Sequence, residues 1–291
     1  GQVRTPSLAE QVDRLVRIGA DGIKLLETKP TSRQALPIPI DDAYFEAFFE
    51  RVEECGLPLV WHVADPEEFW DPARTPAWAA TKGWGYDDSV VSKEALYAEV
   101  QNVLARHPAL KAVFAHFYFL SAALPRAGAF LDAHPNVLLD VAPGIEMCHN
   151  LSADPPRSRE FFLAYADRIV FGTDISSSQS LRQARARADI VRRWLETDEA
   201  FAVGPEADEL LGEAEDGRIV GLSLPPEALG KIYHENFSRL IGSRRVLDAD
   251  EAARECRRLA EAASSLDAED GMKEALRAAE VLSATGPGPA T

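Results

Sequence analysis

Residues 59–66 read LVWHVADP, from Leu59 to Pro66. Leu59-Val60-Trp61 is apolar without alternation, as in a short strand buried on both faces. The run delivers His62 and then Asp65 to its C-terminal end. Taken alone, such a histidine reads as a hydrogen-bonded core residue as readily as a functional one. The arrangement recurs, however. Residues 111–117, KAVFAHF, close an apolar run with His116, and residues 168–174, RIVFGTD, close another with Asp174. Two imidazoles and a carboxylate at three strand ends are borderline and hard donors of the kind a divalent metal accepts. In α/β chains the C-terminal ends of parallel strands are also where chemistry is placed. Asp174 has a second reading, as the cap of a following helix through Ser176–Ser178.

Outward from these strands the chain alternates. Ser7–Ile18 has the apolar spacing of an amphipathic helix, with Ser7 as N-cap and Gly19 as the stop signal. Gly22–Leu26, GIKLL, reads as a buried strand interrupted by Lys24, either a snorkelling edge residue or a functional cation. Asp41 or Asp42 caps a helix that runs through Glu54. The connection Asp65–Val91 is long and holds Trp70, Trp78, Trp84 and Tyr86. Loops of that length serve as lids or binding walls, and this one also reads as a cover stapled by its own aromatics. A helix from Ser92 to Arg106 ends at His107-Pro108, a turn expected at the surface. After the His116 strand come a helix over Ser121–Ala133, the strand Val137–Val141 with Asp140 inside it, and Glu146 just past that strand's end. A helix within Asp154–Ala166 leads to the Asp174 strand. Ser176–Glu196 becomes helical, and Leu224–Gly242 ends in KIYHENFSRLIG, where His234 reads as structural. Five apolar strands alternating with helices predict a parallel sheet covered on both faces.

Composition excludes several classes. The 291 residues are 46% hydrophobic and carry a net charge of −16 with no basic stripe, which argues against nucleic acid and anionic membrane as partners. No run approaches the ~18 apolar residues of a membrane span. Cys55, Cys148 and Cys256 are odd in number and far apart, so neither a disulfide framework nor a cysteine metal site is expected, and a reducing cytoplasm fits. From Val246 onward the chain shifts to Ala, Glu and Arg. Two charged helices are expected, about Asp250–Ser264 and Asp267–Ser283, then a disordered GPGPAT end, as a docking or homo-oligomer element without chemistry.

The segments GADGIKLL (19–26), GLPLVWHVADP (56–66), LKAVFAHFYFL (110–120), NVLLDVAP (136–143), RIVFGTDIS (168–176) and HENFSRLIG (234–242) resemble the amidohydrolase superfamily in its amidohydrolase-related branch. That branch includes metal-dependent hydrolases, lactonases and non-oxidative decarboxylases on an eight-stranded TIM-like barrel. The resemblance makes His62 the strand-five metal ligand, His116 the strand-six histidine, Asp174 the strand-eight ligand, and puts Lys24 where some relatives carry a carbamylated bridging lysine. The first-strand His-x-His pair of the family is missing from this sequence. The expectation is therefore an incomplete TIM-barrel-like parallel sheet over residues 1–245, strands four to eight, with a helical extension over 246–291. A start at Gly1 without Met fits the absence of three preceding βα units.

The implied function is hydrolysis of a small carbonyl- or carboxylate-containing substrate by a metal-activated water. Zinc is the first choice of ion and manganese the second. Asp174 and His116 would be catalytic, and His62, His116 and Asp174 the metal ligands. Lys24, Asp65, Trp70, Trp84 and Glu146 would form the substrate wall. A metal-dependent decarboxylase of the same family and a non-catalytic truncated relative are the alternatives.

Overall fold

The computed structural model describes residues 7–176, 178–204, 218–265 and 268–284. Its centre is a five-stranded parallel sheet: β1 Ile23–Thr28, β2 Leu59–Val63, β3 Ala112–Phe114, β4 Val137–Asp140 and β5 Ile169–Val170. The strands lie side by side in chain order. In-register pairs run Leu59 to Ala112 to Val137, one step per strand. Among the described residues β1 and β5 are open edges and the sheet does not close, as the incomplete barrel requires. A two-stranded antiparallel sheet, β6 Ala200–Phe201 and β7 Ile219–Val220, adds to the expected five strands. Two residues are too short a run for any period to be read.

The helices, in chain order, are α1 Leu8–Ile18, α2 Pro30–Ala35, α3 Glu46–Cys55, α4 Ala77–Thr81, α5 Lys93–Arg106, α6 Leu124–Ala133, α7 Ile145–Ser152, α8 Pro155–Ala164, α9 Leu181–Glu196, α10 Pro226–Gly230, α11 Asn236–Ile241, α12 Ala249–Ser265 and α13 Glu269–Ala284. Their ends follow local chemistry. Ser7 and Glu10 form a reciprocal capping box at α1, and Gly19, at φ 85°, closes that helix in the left-handed region. Ser180 and Gln183 do the same at the start of α9. Asp42 caps a single 3₁₀ turn, Ala43–Phe45, that runs into α3.

Period two divides the sheet. Trp61, Phe114 and Leu139 face the main core with Phe49 and Val52 of α3, Leu96 and Val100 of α5 and Leu131 of α6. Each such side chain contributes about 1.5–3 kcal/mol through burial. Val60, Val113, Leu138 and Val170 face the other way and meet Leu240 of α11 in a smaller cluster. His62 and Asp140 are in phase with Val60 and Leu138, so the pleat carries them to this second face. Lys24, paired with Val60, also falls in that phase, but on the open edge, where it is exposed, as the edge-residue reading of it has it.

The HENF segment docks through Asn236, which is fully buried and donates its amide to the carbonyls of Ala166 and Ile169, both at 2.7 Å. His234 beside it is exposed. His107 is a correction: it is buried, with Nε2 3.2 Å from Glu46 and Nδ1 3.6 Å from Glu53. The turn folds back onto α3, so that the two carboxylates flank the ring. At the C-terminal end α12 pairs with α13 and packs on α1, where Arg14 and Arg17 meet Glu255 and Glu251 at 3.5 and 3.6 Å. The GPGPAT end lies outside the described residues.

Candidate active site

All five strand ends converge on one open cleft of about 570 Å³, lined among others by Lys29, His62, Asp65, His116, Glu146, Asp174 and Arg187. The backbone there is unusual. Ala64 after β2, the four consecutive residues His116–Phe119 after β3, and Asp174 after β5 all have φ between 49° and 64°. Non-glycine residues adopt this left-handed region rarely, at a cost of order 1–3 kcal/mol each, and such strain gathers at functional sites. The left-handed turn sends Phe117 and Tyr118 into the core and leaves His116 and Phe119 on the cleft.

Asp140, on the last residue of β4, holds this turn. Its Oδ1 accepts the backbone N–H of His116 at 2.7 Å and of Ala142 at 3.0 Å. Burial pushes its carboxyl above the ordinary range although these donors pull the other way. The His116 ring bonds the Ala142 carbonyl through Nδ1 at 3.1 Å. A carbonyl only accepts, so Nδ1 carries the proton and Nε2 presents a lone pair. Burial, and next the neighbouring His62, lower the His116 pKa and keep the ring neutral. The two imidazole centroids are 4.9 Å apart, edge to face.

His62 is also held neutral, chiefly by burial, against the pull of Asp65. Its Nε2–H donates to Asp65 Oδ1 at 3.3 Å. Tyr86 donates to Asp65 Oδ2 at 2.5 Å, and Lys29 Nζ stands 3.7 Å from Oδ1. Burial alone would raise the Asp65 carboxyl. His62, Lys29 and Tyr86 together outweigh it and hold the group ionised, below the usual range.

The Asp65–Val91 connection covers the strand ends. Pro66, Phe69, Trp78 and Trp84 line the cleft, and Phe69, Ala79 and Tyr86 form the connection's own small core. Lys29 Nζ lies 4.3 Å from the Trp84 ring centroid. Asp174 lines the same cleft but is exposed, so β5 does not carry it into a partly buried face. Nor does it cap α9, since Ser180 does. Glu146, at the start of α7, has its carboxyl pushed up to about 7, mainly by burial and next by Glu68.

Of the predicted wall, Asp65, Trp84 and Glu146 line the cleft, whereas Lys24 and Trp70 stand outside its lining. Trp70 packs on Tyr86 at 4.8 Å and donates to the Val91 carbonyl at 3.3 Å. Two cations of the cleft were not read from the sequence. Lys29 directly follows β1, the position at a strand's end that Lys24, inside the strand, does not occupy. Arg187 is fully buried on α9 and donates to the carbonyls of Thr173 and Pro143 at 3.1 and 3.3 Å. Its signal was legible: Arg187 falls on the stripe of Ile190, Val191 and Trp194, a cation on an apolar helix face.

The two neutral imidazoles and Asp174 have the donor chemistry of a divalent-metal site. Among the described residues, however, no three His, Cys, Asp or Glu side chains are grouped so as to hold one ion. His62 Nε2 is committed to Asp65, and the Lys29 ammonium already stands beside that carboxylate. The residues described do not by themselves fit a resident metal.

A family model described as Amidohydrolase (Amidohydro_2) matches residues 2–242. No match was found among curated proteins. Among solved structures, the chain is similar to an uncharacterized TIM-barrel protein from Bordetella bronchiseptica, at 18% identity over 80% of this chain and 60% of that one, TM-score 0.45. It is similar to 4-oxalomesaconate hydratase from Rhodopseudomonas palustris, at 15% identity over 83% of this chain and 62% of that one, TM-score 0.45. It is also similar to 2,6-dihydroxybenzoate decarboxylase from Rhizobium, at 14% identity over 80% and 66%, TM-score 0.41. The chain therefore spans less than two thirds of the length of each of these structures. With the family model matched along most of its length, the chain belongs to the amidohydrolase family.

Proposed function

We propose that this cleft hydrolyses a small carbonyl compound, an ester, lactone or amide that also carries a carboxylate. The observation that carries the reading is His116: a buried, neutral imidazole held by Ala142 and Asp140, with its Nε2 lone pair available at the cleft. Such a ring suits a general base, because it accepts a proton without first losing one. His116 Nε2 takes a proton from water as the water oxygen attacks the carbonyl carbon. Asp140 and Asp174, whose charges favour protonation of this ring, stabilise the imidazolium that forms. His116 accepts rather than donates at the cleft, since Nδ1 already spends the ring's one proton on Ala142. Arg187 and Lys29 are the cations for a substrate carboxylate, and Phe69, Trp78 and Trp84 give its carbon skeleton an apolar wall.

The cofactor reading remains a proposal of its own. Zinc, or manganese in second place, would take His62, His116 and Asp174 as donors only after they rearrange, so no step above uses an ion. Decarboxylation is the second reading of the reaction, and the aromatic wall favours it, because a carboxylate drawn out of water against Trp78 and Trp84 is destabilised.

The test is a screen of esters, lactones and amides for hydrolysis, and of carboxylic acids for release of carbon dioxide. His116→Gln should then lower turnover by at least ~10²-fold with an unchanged melting temperature. Unchanged turnover would remove His116 from the reaction.

A further inference from the structure

The polar groups of the cleft are nearly all accounted for by neighbours. Glu146 is not. Its Oε1 is buried and has no hydrogen-bond partner among the described residues. The carboxyl is folded back over Gly144, where a Cβ would stand 2.4 Å from Oε2 and 2.9 Å from Oε1. It sits at the wall between two cavities, lining both the His62–His116 cleft and an adjoining groove that contains Lys93 and Asn150. A side chain whose only structural duty were packing would be cheaper as an apolar residue of the same size.

We propose that Glu146 is the proton donor of this cleft, passing its proton to the departing atom of the substrate while His116 takes one from water. The proposal rests on the hydrolytic reading above. The water oxygen bonds to the carbonyl carbon, and its proton goes to His116 Nε2. The bond from that carbon to the leaving oxygen or nitrogen breaks, its electron pair stays on the leaving atom, and the Glu146 proton joins it. One water is consumed. His116 then gives its proton to solvent, and Glu146 regains one from solvent.

The electrostatic surroundings agree. Glu68 faces Glu146 from the connection over the cleft and disfavours its charge, as burial does. Lys93 at the start of α5, and the backbone at the start of α7, favour the charge and are outweighed. Lys29, Asp174 and Arg187 line the same cleft. A neutral base and a carboxyl that still holds a proton near neutral pH, lining one cleft, are the pairing that acid–base hydrolysis needs.

The experiment compares 4-nitrophenyl acetate, whose leaving group departs without a proton, with phenyl acetate, whose leaving group benefits from one. Glu146→Gln should slow phenyl acetate about 10²-fold more than the nitrophenyl ester. Gly144→Ala, which displaces the carboxyl without removing it, should shift the ratio the same way by a smaller factor. His116→Gln should slow both esters alike. If Glu146→Gln slows the two equally, or slows neither, while His116→Gln abolishes both, the donor role is overturned and the hydrolytic reading stands. If His116→Gln affects neither ester, that reading falls and the donor role with it. Infrared spectroscopy of the wild type at neutral pH gives a check independent of turnover and of how well a variant folds. A buried protonated carboxyl band that Gly144→Ala shifts is expected, and absence of any such band in the wild type overturns the proposal.

Discussion

His62 Nε2 and Asp65 Oδ1 lie 3.3 Å apart although their residues are three positions apart on a chain leaving a strand. An extended chain would send positions 62 and 65 to opposite faces. The left-handed Ala64, at φ 64°, with its N–H on the Thr28 carbonyl at 3.0 Å, turns the chain back so that both face the cleft.

Changing Asp65 or its partner Tyr86 therefore tests the frame of the site. Asp65→Asn should cost about 2–4 kcal/mol in denaturant unfolding, because a buried network loses its charge while Lys29 keeps its own. Tyr86→Phe should cost about 1.5–3 kcal/mol for one hydrogen bond to a charged group. The Asp65 contribution belongs to a depressed carboxyl. It is present above the unfolded value of about 3.9 and fades as pH falls through the lower folded value. A wild type and Asp65→Asn of equal stability at pH 7 would show the network to be idle.

Glu146 predicts the opposite pH dependence. Its folded value, about 7, lies above the ordinary 4.5, so between these values the folded protein holds a proton that the unfolded chain has lost. Stability then falls as pH rises through this window. Relative to Glu146→Gln, which does not titrate, the wild type should lose about 3 kcal/mol between pH 4.5 and 7. Parallel stability curves for the two proteins would place the folded value near the unfolded one.

The aromatic cover predicts a difference between two tryptophans. Trp84→Ala removes the ring under Lys29 and part of the cleft wall, so it should raise KM for phenyl acetate and cost about 1–3 kcal/mol. Trp70→Ala, outside the lining, should leave KM near the wild-type value. The reverse pattern would mean that the cover closes on a different face.

For the metal, titration with zinc or manganese followed by dialysis is expected to leave less than one ion per chain, because His62 Nε2 must first leave Asp65. A one-to-one ion that survives dialysis would show that the donors close around it in solution, and hydrolysis would have to be rewritten through a metal-activated water.

The sequence by itself determined the layout. Uninterrupted apolar runs at 59–61, 112–114 and 137–139 could be satisfied only by a sheet covered on both faces, and the caps at Ser7, Gly19 and Asp42 marked helix ends by local hydrogen bonding. Because side-chain phase along a strand is fixed, the place of His62 at the cleft was legible, and the positions of His116 and Asp174 after their runs followed from the same strand ends. The apolar content of residues 65–91 likewise required a cover with its own core.

What only the tertiary structure decided were the relations between residues far apart in the chain. Lys29 rather than Lys24 reached the cleft, because one sits past the strand end and the other on an open edge. Arg187 arrived from a helix 14 residues beyond Thr173, whose carbonyl it holds. Asp140 proved to be the anchor of the His116 turn, and the Ala142 carbonyl chose which ring nitrogen keeps the proton. Glu146 drew its chemistry from burial over Gly144. Periodicity reports which way one residue points along its own element. It carries no information about which donor, charge or cavity another element will bring to meet it, and that meeting sets the tautomer, the charge state and the reach of each group.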